Sequence, residues 1–208
     1  MPYGFLDAMT TPSLKAAQEA NGVREHWDRF EGLRAFDRFG EDEAAFIAAR
    51  DSFYMATVAE NGWPYVQHRG GPPGFLRLID ERTLAFADFR GNRQYISLGN
   101  LRANDRAALF LMDYARQARL KILARVEARD LAADPELAGK VATPGYKARI
   151  ERVYVLHLEA FDWNCSQHIT ARFSRAELEP LLEPVRRRVR QLQAENAALR
   201  EKLGAFGA

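Results

Sequence analysis

Apolar positions along this chain change their period twice, and the changes divide it into three stretches: 1–50, 51–173 and 174–208. In the first, hydrophobic residues recur at helical spacing in short pieces. Leu14-Lys15-Ala16-Ala17-Gln18-Glu19-Ala20 reads as a helix capped by Ser13 and stopped at Asn21-Gly22. A second helix is expected from Gly40 to Arg50, with Ala44, Ala45, Phe46, Ile47 and Ala48 as its apolar face. From residue 51 the pattern shortens to two. Phe53–Ala59 and Pro64–Arg69 flank Glu60-Asn61-Gly62, and Asn-Gly between alternating runs is a strong hairpin signal. Further strands are expected over 75–79, 83–87, 107–114, 119–130 and 152–161, with helices over 94–104 and within 134–150. The reading is of a mainly β chain with flanking helices, its barrel built from about six antiparallel strands.

The third stretch is helical again. Ser174 with Glu177 forms a capping box, and Phe173 with Leu178 forms a hydrophobic staple. Leu178, Leu182, Val185, Val189, Leu192, Asn196, Leu199 and Leu203 then alternate in steps of four and three. This is a coiled-coil seam with Asn196 at an a position, a pattern of two-stranded parallel pairing, with Glu195 and Arg200 placed to pair between chains. Pro184 is expected to break or restart the helix. The competing expectation is an amphipathic helix lying on its own barrel.

Composition narrows the function classes. Thirty Lys+Arg against 28 Asp+Glu leave a formal charge of +2, and no basic stripe suits a nucleic-acid backbone. No apolar run reaches the length of a membrane span, and the N-terminus has no basic segment leading into an apolar core. The single cysteine, Cys165, excludes an intrachain disulfide framework. A cytoplasmic protein without nucleic-acid or membrane partners is the expectation. His26, His68, His157 and His168 lack metal-ligand spacing, so no metal site is expected.

Three polar segments carry candidate chemistry. Gln67-His68-Arg69-Gly70-Gly71 ends a strand, with glycines that would admit a flat ligand close to the backbone. Asp88-Phe89-Arg90-Gly91-Asn92-Arg93-Gln94 precedes a helix, whose free N–H groups together with Arg93 suit a phosphate. The strands between these segments are expected to bring both to one sheet edge. Trp163 through Arg172 supplies an indole, amides, an imidazole and a guanidinium, with Trp163 able to cover a ring. Read singly, each segment is equally a turn, a solvated loop or a buried Trp with a hydrogen-bonding loop.

Together and in this order, these segments resemble the pyridoxamine 5′-phosphate oxidase-like family of flavin-binding split barrels, over residues 50–175. The resemblance rests on Asn61-Gly62-Trp63-Pro64-Tyr65, Leu84-Ala85-Phe86-Ala87-Asp88, Asn92-Arg93-Gln94 leading into 100–107, Arg119–Val126, and Trp163 with Arg172-Phe173. It implies a six-stranded antiparallel split β-barrel that dimerises with FMN in the grooves between subunits. It also implies electron transfer through the flavin, with oxygen or a nicotinamide nucleotide as the other party. Gln67, His68, Arg69 and Gly70 would run beside the isoalloxazine and ribityl chain, and Ala87 and Asp88 would meet the cofactor at a strand end. Asn92, Arg93 and Gln94 would form the phosphate end, with Arg93 the phosphate-binding arginine and Gln94 where a lysine is common. Arg119 would reach the ring from the other subunit, and Trp163 and Arg172 match the C-terminal aromatic and arginine of the oxidase pattern. Two departures set the chain apart from the oxidase proper. Pro72 stands where a substrate-binding lysine would, and Gln167-His168-Ile169-Thr170 replaces the substrate-gripping Arg-x-His segment.

An FMN-dependent oxidoreductase with an open substrate is the leading expectation, with no residue assigned to catalysis. A non-catalytic flavin-binding or sensor module is the second. A split barrel holding the deazaflavin F420, or haem on His68 or His168, is the third.

Overall fold

The computed structural model describes residues 4–29, 37–163 and 167–206. The chain folds as two compact units, 1–113 with 117–168, and 114–116 with 169–208.

The first unit begins with short helices, α1 (Phe5–Met9), α2 (Pro12–Ala20), α3 (Arg24–Asp28) and α4 (Glu41–Ala48). Thr11, not Ser13, caps α2: its side-chain oxygen accepts from Leu14 N at 3.2 Å. Pro12 takes the first helical position, where its fixed φ suits the helix and its missing N–H costs nothing. Strands β1 (Ser52–Val58), β2 (Pro64–Gly70), β3 (Arg77–Asp80) and β4 (Thr83–Phe89) follow, then α5 (Ile96–Ala103), β5 (Arg106–Asp113), β6 (Ala118–Arg129), α6 (Pro135–Val141) and β7 (Ile150–Trp163). The expected six strands are seven, in the order β2-β1-β5-β6-β7-β4-β3. β3, expected over 75–79, is shorter than that because Phe75 and Leu76 are buried in the core and pairing begins at Arg77.

Alternation along the strands explains the core. Phe53, Met55, Leu109, Leu111, Leu120, Ile122, Leu84 and Phe86 all point inward and are at most 2% exposed. The opposite face of β4 and β7 carries Ala85, Ala87, Val153 and Val155, which pack under Leu137 and Val141 of α6.

No ladder joins β2 to β3 or β4, yet the sheet curls until they meet. Four strands lie between β2 and β4 in sheet order. In a flat sheet that is about 24 Å, at an interstrand spacing of ~4.8 Å. Instead Arg69 Nη1 of β2 donates to Asp88 Oδ1 of β4 at 2.7 Å. The barrel is closed by side chains where its backbone edges remain open.

The second unit contains α7 (Arg175–Phe206), 32 residues long. Its capping box forms as the sequence implies: Ser174 N donates to Glu177 Oε2 at 2.7 Å, and Glu177 N to Ser174 Oγ at 3.2 Å. Pro184 does not break it; both Pro180 and Pro184 lie inside one continuous helix. Each occupies a side of α7 away from the leucine seam, so ring clashes fall on the solvated face. Among the described residues, no helix is long and apolar enough to cross a membrane.

Candidate functional site

The closure between β2 and β4 builds a pocket of about 180 Å³ lined by Gln67, Arg69, Asp88, Asn92, Arg93 and Tyr95, together with Ser97, Glu151 and Tyr154. Local sequence explains each placement. Gln67 and Arg69 share the inner face of β2. Asp88 shares the inner face of β4 with Phe86, and the register shifts between Asp88 and Phe89. Such a bulge re-aims the chain at a strand end and starts the loop that forms the rim.

That loop is held in an uncommon backbone shape. Arg93 and Tyr95 both have positive φ, 62° and 53°. Gln94 N donates to Asn92 Oδ1 at 3.1 Å. The residue preceding α5 is Tyr95, and it gives no side-chain cap to the helix. The first N–H groups of α5 have no side-chain cap, at the positive end of the helix dipole. Ser97 Oγ donates to Gln67 Oε1 at 2.9 Å and ties this end of the helix to β2.

Beneath the rim lies a charged network. Asp88, 9% exposed in its side chain, receives Arg69 on one oxygen, and its other oxygen lies 3.2 Å from Arg152 Nη1. The Arg152 contact is an ion pair without hydrogen-bond geometry, since that Nη1 is buried and unbonded. The Arg69 guanidinium also lies over the rings of Tyr154 and Phe86, at 5.4 and 5.8 Å, and its Nε is buried without a partner. Tyr95 Oη donates to Glu151 at 3.2 Å, and Glu151 lies 3.7 Å from Arg90 and 3.5 Å from Arg152. Burial pushes the Asp88 carboxyl above the usual aspartate value even with two guanidinium groups beside it. Burial also raises the Tyr154 hydroxyl, and the Asp88 charge raises it further.

Arg69 and Arg93 line the pocket with two carboxylates, Asp88 and Glu151, and Arg90 and Arg152 pair with those carboxylates from beside it. Arg93 is exposed and makes no hydrogen bond or ion pair among the described residues. The unmatched charge suits an anionic ligand.

Of the residues expected from sequence, Gln67, Arg69, Asp88, Asn92 and Arg93 line the pocket, and Gln94 belongs to its rim loop. His68 points to the outer face of β2, edge-on to Tyr54 at 5.6 Å. Gly70 ends β2 opposite Ser52. A side chain at Gly71 would meet the Phe75 ring at 2.7 Å, so that glycine makes room for the chain's own core. Ala87 faces α6. Trp163 packs edge-on to Phe46 at 4.8 Å and donates its indole N–H to Glu43 at 2.6 Å. Arg119 lies over Phe110 on the outer sheet face. Arg172, in the second unit, stacks on Tyr114 at 5.2 Å. Asn164, Cys165 and Ser166 lie outside the described residues. No metal-binding cluster occurs among the described residues. The sequence reading missed Tyr95, Ser97, Glu151, Arg152 and Tyr154. A charged pair opening β7 just ahead of the apolar run Val153–Leu156 was the available signal.

A seven-stranded barrel closed over a cationic pocket defines the class, and residues 39–165 match the pyridoxamine 5′-phosphate oxidase family. The chain belongs to that family. No curated protein matches it. Among solved structures, HupZ of Group A Streptococcus is 18% identical over 65% of this chain and 99% of its own, with a TM-score of 0.50, a likeness of fold. An FMN-binding protein of Syntrophomonas wolfei is 16% identical over 71% of this chain and 97% of its own, with a TM-score of 0.45. A protein named F420 reductase is 20% identical over 60% and 98%, with a TM-score of 0.43.

Proposed function

We propose that this protein is an FMN-binding flavoprotein that acts as an oxidoreductase on a small molecule. The observation carrying the reading is the uncommitted Arg93 beside the uncapped start of α5, next to a network in which Arg69, Arg90 and Arg152 already pair with Asp88 and Glu151. Those residues fit a phosphate monoester: Arg93 supplies a bidentate donor and the α5 N–H groups donate to the remaining oxygens. Gln67 and Arg69 line the pocket and offer polar contacts for the rest of the cofactor. No histidine lines the pocket, which favours a phosphate-bearing cofactor over haem.

The flavin, when bound, supplies the electron transfer. The chain's part would be to fix its phosphate, offer donors to its polar groups and keep Asp88 and Arg69 paired.

The pocket is small for a whole cofactor, since ligand sites generally occupy about 300 Å³ or more. A second copy of the chain would complete it. The outer face of β1, β2 and β5 offers the surface, with Tyr54 41%, Val58 41% and Val66 59% exposed. Ala56 and Ala108 lie between them in register. Arg119 stands on this same face with its guanidinium over Phe110, from where it would reach a ring held by the other subunit. His68, Gly70 and Ala87 would contribute through backbone and edge, whereas Trp163 is committed to Glu43.

The visible spectrum of dialysed protein, with the released chromophore identified by mass, tests the reading. FMN in the supernatant supports it; F420, haem, or a colourless protein that takes up no FMN overturns it. Arg93→Ala should lose about tenfold or more in FMN affinity, as expected for one charge-assisted bidentate contact, with an unchanged melting temperature. Flavin detected without turnover of any nicotinamide nucleotide or oxygen would leave the binding module and remove the oxidoreductase.

A further inference from the structure

α7 presents to solvent a row of side chains that no single soluble chain needs. Leu178, Leu182, Val185, Val189, Leu192, Leu199 and Leu203 are 36 to 71% exposed, and all fall on one seam. From Leu178 to Leu203 the seam runs about 38 Å at the helical rise of 1.5 Å per residue. We propose that this seam is a parallel, in-register, two-stranded coiled coil with the α7 of a second copy of the chain.

Three features select that occupant. With Asn196 at a, the a positions are Leu182, Val189, Asn196 and Leu203, and the d positions are Leu178, Val185, Leu192 and Leu199. In a parallel in-register pair the two Asn196 amides face and bond each other. In an antiparallel pair each would face an apolar d residue and lose its partner. A β-branched residue at a with leucines at d, and a single a-position asparagine, favour two strands. Charge agrees with this orientation. Glu195 at g lies opposite Arg200 of the partner subunit at e, and the next g residue towards the N-terminus, Arg188, meets an uncharged Gln193. No like-charged pair arises at these positions.

The basic run Arg186-Arg187-Arg188 with Arg190 also invites comparison with a helix that lies on an anionic membrane. Two of those arginines are already satisfied within α7: Arg186 by Glu179, and Arg190 by Glu183 at 2.7 Å. Between Leu178 and Leu203 the seam carries no Trp, Tyr or Phe to sit at a lipid interface. Pro180 and Pro184 sit at f and c, on the side turned away from the seam, so neither obstructs pairing.

Disulfide trapping in the full chain tests the proposal. In a Cys165→Ser background, Asn196→Cys places two thiols within disulfide reach across the seam, whereas Glu201→Cys, at f, points them apart. Mild oxidation should convert Asn196→Cys to a covalent dimer on a non-reducing denaturing gel and leave Glu201→Cys monomeric. Adding Leu192→Asp and Leu199→Asp should abolish the trapped dimer while the barrel's melting transition persists. Equal trapping at both positions, or trapping at neither in a folded protein, overturns the proposal. So does an untrapped α7 that carries the protein onto phosphatidylserine vesicles.

Discussion

Asn100 Nδ2 donates to Thr57 Oγ1 at 3.0 Å, and both residues are buried. This bond joins the middle of α5 to β1, so the helix whose first turn forms the pocket rim is held by the sheet behind it. Asn100→Ala leaves the Thr57 hydroxyl without its donor and should lower stability by about 2 kcal/mol. It should also weaken retention of an anionic ligand, although Asn100 does not line the pocket. Denaturant unfolding and ligand titration on the same preparation check both effects; a stability loss with unaltered affinity would show that α5 keeps its place without this bond.

Arg69→Ala removes the closing contact of the barrel and leaves the buried Asp88 with Arg152 alone. Breaking one side of a buried pair costs about 3 kcal/mol or more. Arg69→Ala with Asp88→Ala should recover part of that loss, because the stranded charge is gone. A double variant as unstable as the sum of the two singles would mean that the residues are not coupled.

The pH dependence of Asp88 has a definite sign. Its folded-state carboxyl is raised above the usual 3.8, chiefly by burial. Its contribution to stability is therefore complete below that value and is lost as pH rises through the folded pKa. Compared with Asp88→Asn, the wild-type protein should lose relative stability as pH climbs from below 3.8 towards neutrality. Melting curves across that range read the difference directly; a constant gap would show that burial is not what governs this carboxyl.

Trp163→Phe keeps the ring that packs on Phe46 and deletes the N–H donated to Glu43. The expected result is a loss of about 1 kcal/mol, typical of one hydrogen bond, with ligand affinity unchanged. A large fall in cofactor affinity without a stability change would return Trp163 to the binding site.

The local parts of this fold were legible because local rules govern them. Asn61-Gly62 makes the β1–β2 hairpin, with Gly62 at a φ of 86°, and Ser174 with Glu177 starts α7 where the pattern places it. Arg93 and Asp88 could be chosen from residue type at a strand end and a helix start. The closure was not legible. Gln67 and Arg69 reach the 88–95 segment through the accumulated curl of six strands, not through the short β3–β4 hairpin that joins their loops in sequence. The β7 contributors Glu151, Arg152 and Tyr154 were hidden for the same reason, since nothing near them in sequence says which strand end they will meet. Pro184 shows the reverse limit: a strong local breaker was overridden by the long helix around it.

Because the last seam of the barrel is stitched by Arg69 and Asp88 instead of a backbone ladder, β2 is anchored by hydrogen bonds along one side only. Like β3 at the other end of the sheet it is an edge strand, and its amides should exchange with solvent sooner than those of β6 or β7. A ligand seated between Gln67 and the 91–95 loop would bridge the two lips of that opening. Its binding free energy would then also hold β2 in place, so filling the pocket and latching the barrel are a single thermodynamic event.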